Sequence, residues 1–130
     1  MSWTPREQEV AAVLALPGPK RYSYWVKKVA DEERVWSLAE GDGWLLVGDA
    51  DGQQAVPVWP HQAFAAACAE RWPGAEPREI ALGDWLDRWI PGMIRDGRAV
   101  AVFPNRDGQG PVVPPERVAE DLDEELAQYE

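Results

Sequence analysis

A chain of 130 residues with one cysteine, eight tryptophans and a formal charge of −10 suits one domain that buries roughly two-thirds of its unfolded surface, with no second thiol for an internal disulfide. The acidity argues against a nucleic-acid partner, because affinity for a phosphate backbone comes from lysine and arginine displacing counterions. No apolar stretch approaches the ~20 residues of a membrane helix, and the opening Met1-Ser2-Trp3-Thr4-Pro5-Arg6-Glu7 lacks signal-peptide form, so the expected location is the cytoplasm, away from membranes.

Residues 5–16 carry helical spacing in Val10, Val13, Leu14 and Leu16, and Pro17-Gly18-Pro19 ends that helix. A second helix follows from Pro19 to Ala30, with Tyr22, Trp25, Val26 and Val29 on its apolar side. Lys20, Arg21, Lys27 and Lys28 read as a solvated basic face balanced by Asp31-Glu32-Glu33. The period then changes. Val35–Leu38, Trp44–Val47 and Ala55–Trp59 are rich in strand formers and are separated by Asp42-Gly43 and Asp51-Gly52, which predicts a three-stranded antiparallel meander. Trp44–Val47, apolar throughout, is expected to be central and covered on both faces, whereas Pro57, unable to donate a ladder hydrogen bond, favours an edge or a bulge.

The third strand stops at Pro60 and turns directly into a helix over residues 61–72, on which Phe64, Cys68 and Trp72 form a stripe flanked by Ala65 and Ala69. Trp72-Pro73-Gly74 stops it. Arg78–Leu82 fits either a short strand or an extended connection. Asp84 is placed to cap a helix over Trp85–Ile90, with Trp85, Leu86, Trp89 and Ile90 on one face and a break or kink at Pro91-Gly92. Ala99–Phe103 reads as a strand buried on both sides, and residues 104–111 as a surface loop. Pro114-Pro115-Glu116 opens a last amphipathic helix with Val118, Leu122, Leu126 and Tyr129 on its docking stripe. Residues 116–130 hold seven carboxylates against Arg117, a balance of −6, leaving −4 for the rest of the chain. The fold class expected is α+β, a single domain over residues 1–130. Its antiparallel sheet is the meander plus one or two further strands, with helices packed on it and the acidic helix at its C-terminus.

His61, the only histidine, is the first chemical candidate, as a base or a metal ligand. Its companions are few: zinc usually takes several histidine, cysteine or carboxylate ligands. If both it and Cys68 are helical they stand ~10 Å apart, too far for a nucleophile–base pair. The expected role of His61 is therefore to cap or pack the strand-to-helix corner, and that of Cys68 is to fill the core. Gly48-Asp49-Ala50-Asp51-Gly52 begins like a calcium loop, but Gln53 stands where the pattern wants Asp or Asn and no glutamate closes it, so a hairpin turn is expected. No phosphate-binding glycine motif, nucleophile elbow or Cys-x-x-Cys pair is present, and neither a metal nor a cofactor is expected. The tryptophans could all be core; alternatively Trp44 and Trp59 line a groove, since indoles are enriched in interfaces and ligand pockets.

Tyr22 to Val29, Asp42-Gly43-Trp44, Val58-Trp59-Pro60-His61, Ile90-Pro91 with Asp96-Gly97, and Val102-Phe103-Pro104 before an acidic helix together resemble the bacterial proteins grouped as domain of unknown function 2750, over roughly residues 18–130. The resemblance implies a small single-domain bacterial cytosolic protein. It implies no activity, so no catalytic residue is carried over. Two functional classes remain open. One is a non-catalytic protein-interaction module, immunity-like or regulatory, whose acidic surface engages a basic partner. The other is a small-molecule-binding protein or enzyme with a pocket at the Trp59-Pro60-His61 corner, in which His61 is the base, Trp59 a wall and a carboxylate the orienter.

Overall fold

The computed structural model describes residues 3–48 and 51–128. Most of its helices and strands lie where periodicity placed them. Helix α1 (Glu7–Leu14) buries Val10, Val13 and Leu14. Helix α2 (Gly18–Glu32) takes Pro19 in its first turn, where a missing N–H costs nothing, and ends on Glu33 in the left-handed region at φ 59°. Strand β1 (Arg34–Glu40) leads by a tight turn into β2 (Gly43–Trp44), followed by β3 (Val47–Gly48) and β4 (Gln54–Val58). Helix α3 (Gln62–Cys68) and a 3₁₀ turn (Ala69–Arg71) precede β5 (Glu76–Ala81), so the ambiguous stretch around Arg78 is a strand. Helical residues then run on through α4 (Leu82–Asp84), a π turn (Trp85–Trp89) and α5 (Ile90–Asp96). Strands β6 (Ala99–Val102) and β7 (Val112–Val113) and helix α6 (Pro115–Ala127) complete the chain.

The fold is α+β, with two sheets that share a ribbon. One has the order β2-β1-β5 and is antiparallel; the other has the order β3-β4-β6-β7, in which β4 and β6 run parallel. The meander therefore forms with a divided middle strand. β2 pairs with β1, the chain leaves strand geometry at Leu45-Leu46, and β3 pairs with β4 in the other sheet. Only Leu45 of that apolar run is buried, at 8 % exposure, while Trp44, Leu46 and Val47 stay half-buried. Full cover on both faces was expected; a ribbon that changes sheets cannot keep both sides enclosed. Pro57 lies inside the second sheet rather than at its edge. β3 covers β4 only at Gln54 and Ala55, so the missing N–H falls where that partner has run out. The Pro57 carbonyl accepts from Ser37 Oγ at 2.6 Å, and two residues later Trp36 and Trp59 exchange backbone hydrogen bonds at 3.0 and 2.7 Å. These bonds stitch the sheets together.

One apolar cluster joins α1 through α6, with Trp25, Trp59, Trp85, Phe64 and Phe103 fully buried in it. Helix α6 is docked: Val118 and Leu122 are fully buried and the helix packs on α2 and α5; Tyr129 lies outside the described residues. Two local expectations are corrected. Asp84 caps nothing, because the helix starts earlier, after Ala81, and Asp84 itself has helical φ and ψ of −65° and −38°. Pro91 does not break the helix either. Its absent N–H would leave an α-helical carbonyl unpaired, and the wider π turn before it accommodates that loss.

Arg21 departs furthest from its expected place on a solvated basic face. It is 5 % exposed, and its guanidinium donates to the carbonyls of Phe103 (2.9 Å), Gln109 (3.0 Å) and Leu16. Those bonds hold the 103–110 loop on α2. Phe103 sits at φ 54°, a conformation disfavoured for a residue with a Cβ. Gly110 passes so close that a Cβ would lie 3.0 Å from the Val102 carbonyl oxygen.

Candidate functional site

Strand β4 and helix α3 meet at the Pro60-His61 corner. His61 has extended backbone, φ −156° and ψ 155°, and its Nδ1 accepts the Ala63 N–H at 3.0 Å. It is the N-cap of α3. A side-chain acceptor there satisfies one of the N–H groups that a helix start leaves without a partner. The Trp3 ring packs edge-on against the imidazole at 5.2 Å and Trp36 lies at 6.3 Å. Around them opens a polar hollow of about 270 Å³ whose remaining lining is Asp31, Glu32, Arg34 and Pro60.

The carboxylates in this hollow come from the last turn of α2. No basic residue occupies that turn, although the carbonyl end of a helix favours cations by roughly 0.3–1 kcal/mol at an exposed site. Glu32 Oε1 accepts the Trp3 backbone N–H at 2.8 Å, which fixes both the carboxylate and the indole. Lys28 Nζ stands 4.5 Å from the Trp3 ring centroid and 5.7 Å from that of Tyr24, so the Trp3 indole already accepts a cation from its own chain. Arg34 reaches Glu79 at 3.7 Å, both side chains being about half exposed at 54 %.

Burial lowers the His61 pKa from its ordinary value, against smaller upward pulls from Glu32 and from a backbone hydrogen bond with Trp3. At neutral pH the ring is therefore neutral. With Nδ1 accepting, the proton resides on Nε2, which leaves no lone pair to abstract a proton from a substrate. In this arrangement His61 caps the helix, and neither ring nitrogen offers a free lone pair.

A second hollow, apolar and about 360 Å³, opens between the β2–β4 ribbon and the π turn with α5. Trp44 and Trp89 form one wall, edge to face at 4.8 Å and 88°, over Val56 and Met93. Arg88, Arg98 and Asp96 stand at it.

The sequence-derived candidates thus separate. Trp44 and His61 line different hollows. Trp59 lines neither, a correction to its expected place as a wall: it is fully buried, its Nε1–H donates to the Pro104 carbonyl at 3.0 Å, and Trp72 packs against it. Cys68 is buried beside it, its Sγ 3.5 Å from the same carbonyl, and burial pushes the thiol up to about 11. Such a thiol stays protonated and unreactive. Part of the calcium-like stretch, Asp49 and Ala50, lies outside the described residues; it joins the paired strands β3 and β4. Among the described residues no three His, Cys, Asp or Glu side chains gather as a metal site, and no helix is long and apolar enough to cross a membrane.

Trp3, Trp36, Asp31, Glu32 and Trp89 were not singled out from the sequence as site residues. The carboxylates had one readable signal, acidic side chains at the end of a helix where the backbone dipole disfavours them. Trp89 had none, because its spacing from Trp85 and Ile90 is that of a core face.

The family model described as Protein of unknown function (DUF2750) matches residues 22–122. No curated protein and no solved structure matches the chain. The chain belongs to the DUF2750 family.

Proposed function

We propose that this DUF2750 protein is a non-catalytic, cytoplasmic protein-interaction module, immunity-like or regulatory, that engages a basic partner by taking a lysine or arginine side chain into the hollow at His61. The observation that carries the reading is the placement of Asp31 and Glu32 at the carbonyl end of α2, facing the same hollow as the Trp3 and Trp36 indoles. Helix dipole and two carboxylates outweigh the one guanidinium in the lining, Arg34, which Glu79 engages at 3.7 Å, and the Trp36 face attracts cations by a further ~0.5–1 kcal/mol at an exposed site. The net charge of −10 would steer such a partner toward the surface before it docks.

Imidazole, carboxylate and indole also converge in many catalytic sites, which is the competing reading. The hydrogen-bonded Nδ1, and the proton this leaves on Nε2, weigh against it, since neither ring nitrogen then offers a free lone pair. A lysine- and arginine-rich peptide titrated at moderate salt is expected to bind the wild-type chain and to lose about tenfold affinity in Asp31→Asn, Glu32→Gln. Peptide binding that ignores those two substitutions would remove the reading.

A further inference from the structure

The Trp44 hollow is lined by residues distinct from those around His61 and has the opposite electrical character. Its volume of about 360 Å³ falls within the ~300–1,000 Å³ of small-ligand clefts. Trp89 belongs to the π turn, a helix irregularity that recurs at functional sites. Met93, 4 % exposed, supplies a polarizable, adaptable surface suited to a flat ring.

Two guanidiniums stand at this hollow in a strongly anionic molecule. Arg88, with its side chain 82 % exposed, comes no closer to Asp84 than 3.9 Å, at Nε, and Arg98 no closer to Asp96 than 3.7 Å, at one terminal nitrogen. Neither contact is the short bidentate fork that satisfies a guanidinium. Both arginines keep N–H groups to offer a carboxylate, and a third, Arg78, lies 5.5 Å from the Trp44 ring centroid. Against Arg88 and Arg98 the lining offers one carboxylate, Asp96.

We propose that this slot binds a small planar aromatic carboxylate, its ring against Trp44 and Trp89 over Met93 and its carboxylate between Arg88 and Arg98. A free aromatic acid and the C-terminal aromatic residue of a peptide share this chemistry. The full chain, labelled with ¹⁵N at its indoles and assigned with Trp44→Phe and Trp89→Phe, is titrated with indole-3-acetate, with its neutral amide, and with N-acetyltryptophan as the peptide-end mimic. The acid is expected to shift the Trp44 and Trp89 indole N–H signals saturably while those of Trp3 and Trp36 stay in place, and the amide to bind about tenfold more weakly. Arg88→Gln with Arg98→Gln should bring the acid down to the amide's affinity with the buried Trp25 and Trp85 signals unchanged. If the pair disturbs those signals, Arg88→Gln alone should still weaken the acid and leave the amide unaffected. Tighter binding of N-acetyltryptophan than of indole-3-acetate would assign the slot to a peptide end, and the reverse to a free acid. Equal binding of acid and amide, or Trp44 and Trp89 signals unmoved in a folded spectrum, overturns the proposal. The probes and residues differ from those of the His61 hollow, so either reading can fail without the other.

Discussion

The eight tryptophans divide into two populations with different work. Trp25, Trp59 and Trp85 are fully enclosed, whereas Trp3, Trp36, Trp44, Trp72 and Trp89 pack against the core with part of each ring open. The enclosed rings are there for their volume and shape. Two of them, Trp25 and Trp85, meet edge-on at 6.4 Å and have indole N–H groups with no acceptor among the described residues, although an unpaired buried donor costs about 1–3 kcal/mol. The core retains them because a ring that buries on the order of 150–250 Å² outweighs that loss. Of the open rings, Trp3 and Trp36 edge the His61 hollow and Trp44 and Trp89 the apolar one, each beside charged groups. One residue type thus fills the core where it is enclosed and, in four of the five half-open cases, edges a hollow.

The largest test of that division is an enclosed ring. Trp59→Ala is expected to cost about 3–5 kcal/mol in urea unfolding, because it empties a core position and removes the donor to the Pro104 carbonyl. Arg21→Met should follow at roughly 3 kcal/mol by the same measurement. It removes three carbonyl contacts at once, and each buried carbonyl left bare is worth ~1 kcal/mol or more. A loss no larger than that of a surface lysine would mean that the 103–110 loop is held by other contacts.

His61→Ala is expected to cost about 1 kcal/mol, the ordinary value of an N-cap, and to change the pH profile as well. The folded-state pKa of His61 lies below the ordinary histidine value. The unfolded chain therefore takes up the proton first as pH falls. Wild-type stability should be complete above pH ~6.5 and decline as pH drops from there toward the lowered folded value, where Nδ1 can no longer accept from Ala63. The alanine variant should lack that slope, and an unchanged slope would assign it to carboxylates.

Open rings and their neighbours should give the smallest effects on stability. Trp36→Ala is expected to cost no more than about 1–2 kcal/mol, since part of the ring faces solvent, while weakening the binding of a basic peptide by up to about fivefold. Asp31→Asn should be neutral or stabilising by about 0.3–1 kcal/mol, because it relieves a carboxylate from the wrong end of a helix dipole. A variant that gains stability as it loses the partner would make the division sharpest, and calorimetry with peptide titration reads both quantities.

Much of the frame could be read from local pattern. Period and turn residues located the helices, the paired strands around Asp42-Gly43 and Asp51-Gly52, and the corner at Pro60. The cap at His61 was equally local, a polar side chain just after a proline and before an alanine-rich helix. What escaped was set by distant chain. The parallel match of Val56 with Val100 joins residues 44 apart, and neither strand signals its partner. Arg21 looked solvated because its neighbours Lys20 and Lys27 are; only the carbonyls of Phe103 and Gln109 make its burial tolerable. The two hollows needed the same information, since Trp3 must meet Glu32 and Trp44 must meet Trp89 before either cleft exists.

The reach of Arg21 also ties an early helix to late chain. Two of its acceptors lie 82 and 88 residues downstream, so during synthesis α2 leaves the ribosome long before its guanidinium has anywhere dry to go. Until then only the Leu16 carbonyl, five residues upstream, is at hand for it. The guanidinium can complete its set of carbonyls only once the last quarter of the chain is in place.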